Sequence, residues 1–288
     1  LRALAEAQFA LGDTSAAEAT IREELQSDST DGLANLILAR VLMKENRFDE
    51  AVSYFHRAIN GHWDDDQQQK RMRARFELID LLAARNSKEA LLAELLPVQD
   101  DTGSDLKTRV RMGQLFLQAG SPGRAGDVFR EILHDAPADR DAHVGLGEAE
   151  FAQGNYRAAQ RDFETALRVA PDDQAIRQRL DLCNELLTLD PTVRGLGAQE
   201  RFRRGRKLVE LTFNEASQCV QNDSPELQGL LNRAADALKS NVGSASKSDL
   251  AESDVDLAEQ LWQARKKTCK APADNGSPLA LVLAKLAQ

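Results

Sequence analysis

Aromatic residues make up only 5% of the 288 positions, and β-branched residues are also few. Alanine and leucine are abundant instead, which favours helix over strand and makes an all-α chain the first expectation. No run of 18 apolar residues occurs, so the sequence offers no membrane-spanning helix. Hydrophobic residues at 42% and charged residues at 29% fit a folded chain of one or two domains. The net charge of -9 works against long-range attraction to nucleic acid. The chain opens on Leu1 inside a helical pattern, with no initiator Met. It therefore reads as a piece of a longer or processed protein, with any signal or anchor upstream.

Signatures of catalysis and metal binding are missing as well. The cysteines are Cys183, Cys219 and Cys269, with no C-x-x-C among them, which excludes a zinc ribbon or a thioredoxin-like site. The histidines are His56, His62, His134 and His143, and no H-E-x-x-H pattern contains them. Neither a G-x-S-x-G elbow, a P-loop nor an EF-hand pattern is present. The run Asp64-Asp65-Asp66 suits capping or solubility, since adjacent carboxylates in a loop rarely close a cation cage. Gly145-Leu146-Gly147 lacks the preceding strand and third glycine of a dinucleotide loop. The expectation is therefore no metal, no cofactor and no enzyme.

What the chain does contain is a repeat. Residues coincide at a spacing of 34: Gly147 with Gly113, Gly154 with Gly120, Ala159 with Ala125, Phe163 with Phe129, Pro171 with Pro137. Ala39, Asn46, Phe48, Ala51, Phe55 and Ala58 follow the same offsets, and so do Ala5, Gly12, Ala17 and Ile21 one unit earlier. Between Gly61 and Lys70 about six extra residues interrupt the period, and the unit from Met72 to Asp105 is degenerate. A helical hairpin cannot bury its own apolar face, so such units stack. Gly147 and Ala159 allow two helices to approach, Phe163 fills the space between hairpins, and Pro171 ends a helix.

This pattern resembles the tetratricopeptide repeat, with Leu146, Gly147, Tyr156, Ala159, Phe163, Ala166 and Pro171 on the family's positions in one unit. Gly113, Ala125, Phe129 and Pro137 match in the unit before. The resemblance covers roughly residues 1 to 187. It implies an all-α, right-handed superhelical solenoid over residues 1–190, of about four to five repeats with the first truncated and the third degenerate. Residues 191–288 read as a helical extension that caps the last repeat. Within it, helices are expected over about 198–220, from Pro225, over 250–267 and in the tail LALVLAKLAQ.

The resemblance also implies where a ligand lies. Family members bind peptides or partner helices on a concave face lined by the first helix of each repeat. The matching positions here are Leu36, Arg40 and Met43; Phe76 and Asp80; Val110, Gln114 and Leu117; and Val144, Glu148 and Phe151. Val110, Gln114, Val144 and Glu148 depart from the Lys and Asn pattern that clamps a terminal carboxylate. Asp80 and Glu148 suggest neutral or basic partners. The function expected is a non-catalytic scaffold that binds a protein or peptide. The alternative is a spacer in a larger envelope or secreted assembly, its groove covered by the chain's own C-terminal helices. The basic run of Arg194, Arg201, Arg203, Arg204, Arg206 and Lys207 reads as a solvated helix face paired with Glu200 and Glu210, without nucleic-acid binding. Cys219 and Cys269 each follow a C-terminal helix, and a bridge between them would imply a periplasmic or secreted protein. Without the bridge the protein would be cytoplasmic. Cys183 reads as a buried thiol.

Overall fold

A computed structural model describes residues 1–64, 67–99, 105–218, 224–240, 247–269 and 274–287. Within them the chain is all-α, with one isolated bridge between Asp31 and His62. Helices α1 (Arg2–Ala10) and α2 (Thr14–Ser27) pack as a hairpin, as do α3 (Gly32–Lys44) with α4 (Phe48–Asn60) and α5 (Gln68–Ala84) with α6 (Lys88–Leu95). Next come α7 (Leu106–Gln118) and α8 (Pro122–Asp135), then the hairpin of α9 (Arg140–Ala152) and α10 (Tyr156–Val169). The C-terminal part holds α11 (Gln174–Leu189), α12 (Ala198–Ser217), α13 (Pro225–Lys239), α14 (Lys247–Thr268) and α15 (Pro278–Leu286).

Two local devices impose the period. The first ends the first helix of each repeat. Gly12, Asn46, Asn86, Gly120 and Gly154 all take positive φ, between 54° and 85°. The next residue's N–H then reaches back five positions: Asp13 to Gln8, Arg47 to Leu42, Ser87 to Leu82, Ser121 to Phe116 and Asn155 to Glu150. This is the left-handed helix stop, which glycine and asparagine adopt most readily. The second device starts the next first helix. Asp31, Asp105, Asp139 and Asp173 each accept a hydrogen bond from a first-turn amide.

The spacing of the stops is 34 residues, except from Asn46 to Asn86, where it is 40. The additional residues fold back onto α3. His62 donates to the Thr30 carbonyl (2.7 Å) and accepts from the Gly32 amide (2.9 Å). The Trp63 indole donates to the Ala58 carbonyl (2.7 Å). A Cβ on Gly32 would stand 2.3 Å from the Trp63 ring, so the insertion requires glycine there. Asp65 and Asp66 lie outside the described residues.

The chain divides into two compact units, Leu1–Val128 and Phe129–Gln288. In the first, Phe55, Leu78, Ile79, Leu91, Leu95 and Phe116 are fully buried, and α3 is buried on almost every side by α1, α2, α4 and α5. In the second, the Phe163 ring fills the space over Gly147 and the Phe129 ring the space over Gly145. Ala125, Ala159, Phe129 and Phe163 are fully buried, whereas Pro137 and Pro171 are exposed and act through the backbone. The units meet inside α8, and residue 190 lies within the second of them. The physical reason is a shared core: Tyr156 of α10 and Leu186 of α11 pack in one cluster with Leu208, Leu257, Leu261, Trp262 and the tail residues Leu279, Val282 and Leu283.

Candidate protein-binding face

In repeat register the sequence-selected positions form three rows along the first helices, at i, i+4 and i+7, so each trio shares one helix face. The first row is Leu36, Phe76, Val110 and Val144. Phe76 and Val144 are half-buried, but Leu36 is 1% exposed and Val110 9%. These two are corrections to the sequence reading. Both side chains belong to the core and offer nothing to a partner. The third row is Met43, Ala83, Leu117 and Phe151, all half-buried.

The middle row carries the polar chemistry: Arg40, Asp80, Gln114 and Glu148. Arg40 donates to both Glu77 oxygens, at 2.8 and 2.6 Å. That carboxylate holds the Arg40 guanidinium above its usual pKa range. Asp80 accepts from Arg111, and Glu148 accepts from Arg179 on both oxygens. Asp80 and Glu148 are thus neutralised by the next first helix and do not present the free acidic lining expected from the sequence. Arg40–Glu77 occupies the same register with the charges exchanged. Gln114 is exposed, and its side chain makes no bond within the described residues.

In the second unit this face is largely closed. The Phe151 ring lies 5.2 Å from Tyr156, and the Arg179 guanidinium sits 4.1 Å from its centroid. Phe151 packs against the core that includes the C-terminal helices. Val144 packs against the buried cluster that includes Phe163, Ile176 and Cys183. Val144 and Phe151 thus both support buried clusters, so replacing them would disturb the fold.

Several titratable groups elsewhere form structural pairs. Arg203 and Arg204 bind Glu200 and hold its pKa down at about 2. Lys207 pairs with Glu210 at 3.0 Å. Arg206 reaches buried Asp254 at 2.8 Å; burial pushes that carboxyl up, and Arg206 opposes the shift. His143 bridges Asp162 and the Pro137 carbonyl, whereas His134 contacts Asp135. Burial drives the Cys183 thiol up to about 11. Cys269 is disulfide-bonded and Cys183 is free. Cys219 lies outside the described residues. Among the described residues no three His, Cys, Asp or Glu side chains are placed to hold a metal ion. No described helix is long and apolar enough to cross a membrane.

Sequence reasoning missed Glu77, Arg111 and Arg179, which complete the ion pairs. The available signal was opposite charge at 31 residues' separation, in Asp80 with Arg111 and in Glu148 with Arg179.

Comparison with known proteins agrees with this register. Residues 2–68 and 116–180 each match the tetratricopeptide repeat family. The chain belongs to the tetratricopeptide repeat family. Residues 69–115, between the two matched stretches, include the short α6 of the degenerate repeat. Among curated proteins, DnaJ homolog subfamily C member 3 of Bos taurus is 24% identical over 195 residues, covering 67% of this chain. The Gallus gallus protein of the same name is 23% identical over 199 residues. The chain spans 36% of the length of these relatives. Among solved tetratricopeptide structures, YrrB, described as having an unusual peptide-binding site, is 18% identical. It covers 60% of this chain and 87% of its own, with a TM-score of 0.47. A tetratricopeptide repeat protein from Parabacteroides merdae is 14% identical over 97% of this chain and 96% of its own, with a TM-score of 0.46.

Proposed function

We propose that this non-catalytic tetratricopeptide scaffold binds an extended or helical polypeptide along the first helices α3, α5 and α7 of its first unit. Protein binding itself follows from the family. The placement rests on one observation: along this face the charges pair with each other, whereas Met43, Phe76 and Leu117 keep apolar surface exposed beside the free Gln114 carboxamide. Such a strip suits an uncharged apolar segment, and Gln114 can both donate to and accept from its backbone. Closure of Phe151 in the second unit confines the site to the first.

The test begins with a peptide selected from a random library on the intact chain. Its affinity is then measured for Met43→Glu/Leu117→Glu. The expected result is a loss of about tenfold or more with helicity retained, since two carboxylates must be desolvated against an apolar ligand. Undiminished affinity would move the site elsewhere and would favour the spacer reading for this face.

A further inference from the structure

We infer that the second unit carries a separate anion-receiving cleft, suited to an acidic polypeptide segment, between the start of α10 and the loop after α11. A cavity of about 440 Å³ opens there. It is lined by Arg157 and Arg161, one turn apart on α10, and by Arg194 from the loop. All three are exposed, and none makes an ion pair or a side-chain hydrogen bond within the described residues. The other charges of the lining are already committed. Lys285 pairs with buried Asp190 at 2.5 Å. Glu150 accepts from Arg130 at 2.9 Å and from the Asn155 amide at 2.8 Å. Three positive charges therefore line one cleft whose one carboxylate, Glu150, is already bonded to Arg130 and Asn155, in a chain whose net charge is -9.

In repeat register Arg157 stands where α4 and α6 place Asp49 and Glu89, which complement the positive end of a helix, and where α2 and α8 place the uncharged Ser15 and Gly123. The first turn of α10 has no acid, and Asn155 makes no cap hydrogen bond. The arginines and the helix end thus add potentials of the same sign. That arrangement weakens the isolated fold and is relieved by a bound carboxylate.

The size and lining of the cleft select among anions. Its volume is about fifteen times the roughly 30 Å³ that one water occupies in the liquid, which is room for a stretch of chain. Tyr156 is the one aromatic side chain in the lining. It is 5% exposed, and its hydroxyl donates to the Leu281 carbonyl, so no ring face is free to stack a nucleobase. Carboxylates on a polypeptide fit better than nucleic acid. The cleft shares no residue with the face of the first unit, so either assignment can fail without the other.

The test uses the full chain and a fluorescein-labelled polyglutamate peptide, followed by anisotropy at low salt. Arg157→Gln/Arg161→Gln/Arg194→Gln should bind about tenfold more weakly or worse. A charge-matched control, Lys239→Gln/Lys266→Gln/Lys267→Gln, should bind like the parent. No binding by the parent, or equal loss in both variants, overturns the cleft. Equal affinity for an oligothymidine, or displacement by inorganic phosphate at matched charge concentration, overturns its assignment to polypeptide. A second readout needs no ligand: Arg157→Gln should melt at or above the parent temperature. A lower melting temperature would show that Arg157 has a structural partner instead.

Discussion

Arg179 of α11 closes over Glu148 of α9, bonding both carboxylate oxygens while its guanidinium stacks on Phe151. The contact joins consecutive first helices and recurs as Asp80–Arg111 and, reversed, as Arg40–Glu77. The two side chains are 33% and 32% exposed, so screening limits the pair. A double-mutant cycle with Glu148→Gln and Arg179→Gln should give a coupling of about 0.5–1 kcal/mol in denaturant melts. Arg179→Gln should cost more than Glu148→Gln, because it also removes the contact with the Phe151 ring. Zero coupling would mean that the pair does not join the repeats.

Glycine at position 147 is demanded by packing. A Cβ there would stand 2.7 Å from the Phe163 ring, whereas one on Gly123 would meet nothing within 4 Å. Gly147→Leu should destabilise by about 2–4 kcal/mol through overpacking. Gly123→Ala should stay within about 0.5 kcal/mol of the parent. Similar melting curves for the two variants would contradict the packing account.

The repeat was legible because its signals are local. A left-handed stop at Gly154 and the small Gly147 under Phe163 each depend on a few residues, and they recur at fixed spacing. Leu36 and Val110 were misread because family register places a residue on a helix face, whereas burial depends on which other helices close over it. The neutralisation of Asp80 and Glu148 was hidden for the same reason: each partner lies one repeat away in sequence and meets it only when the hairpins stack. Trp63 gave no periodic signal, and its role follows from the backbone of the insertion turning back to Thr30 and Gly32.

Thiol chemistry separates the three cysteines. With its pKa raised to about 11 by burial, Cys183 should resist alkylation in the folded chain at neutral pH. Thiol titration of denatured, non-reduced protein should then find one free thiol, from Cys183, since Cys269 is disulfide-bonded. Three free thiols would exclude the bridge.

Glu200 supplies a pH signature for the start of α12. Its pKa falls from 4.5 to about 2 through the Arg203 and Arg204 hydrogen bonds. A depressed folded-state value means that its contribution to stability is complete above about 4.5 and is lost as the pH falls toward about 2. Glu200→Gln should therefore melt below the parent at neutral pH, with the gap closing toward pH 2. A gap independent of pH would show that the effect is not ionic.

The proposed function places a polypeptide on the first-helix face of the first unit. A photo-crosslinking residue in place of Gln114 tests it directly, compared with the same residue in place of Ser53, which is exposed on the second helix α4. With a library-selected peptide bound, the crosslink should form from position 114 and not from position 53. Crosslinking from position 53 alone, or equally from both, would contradict the assignment.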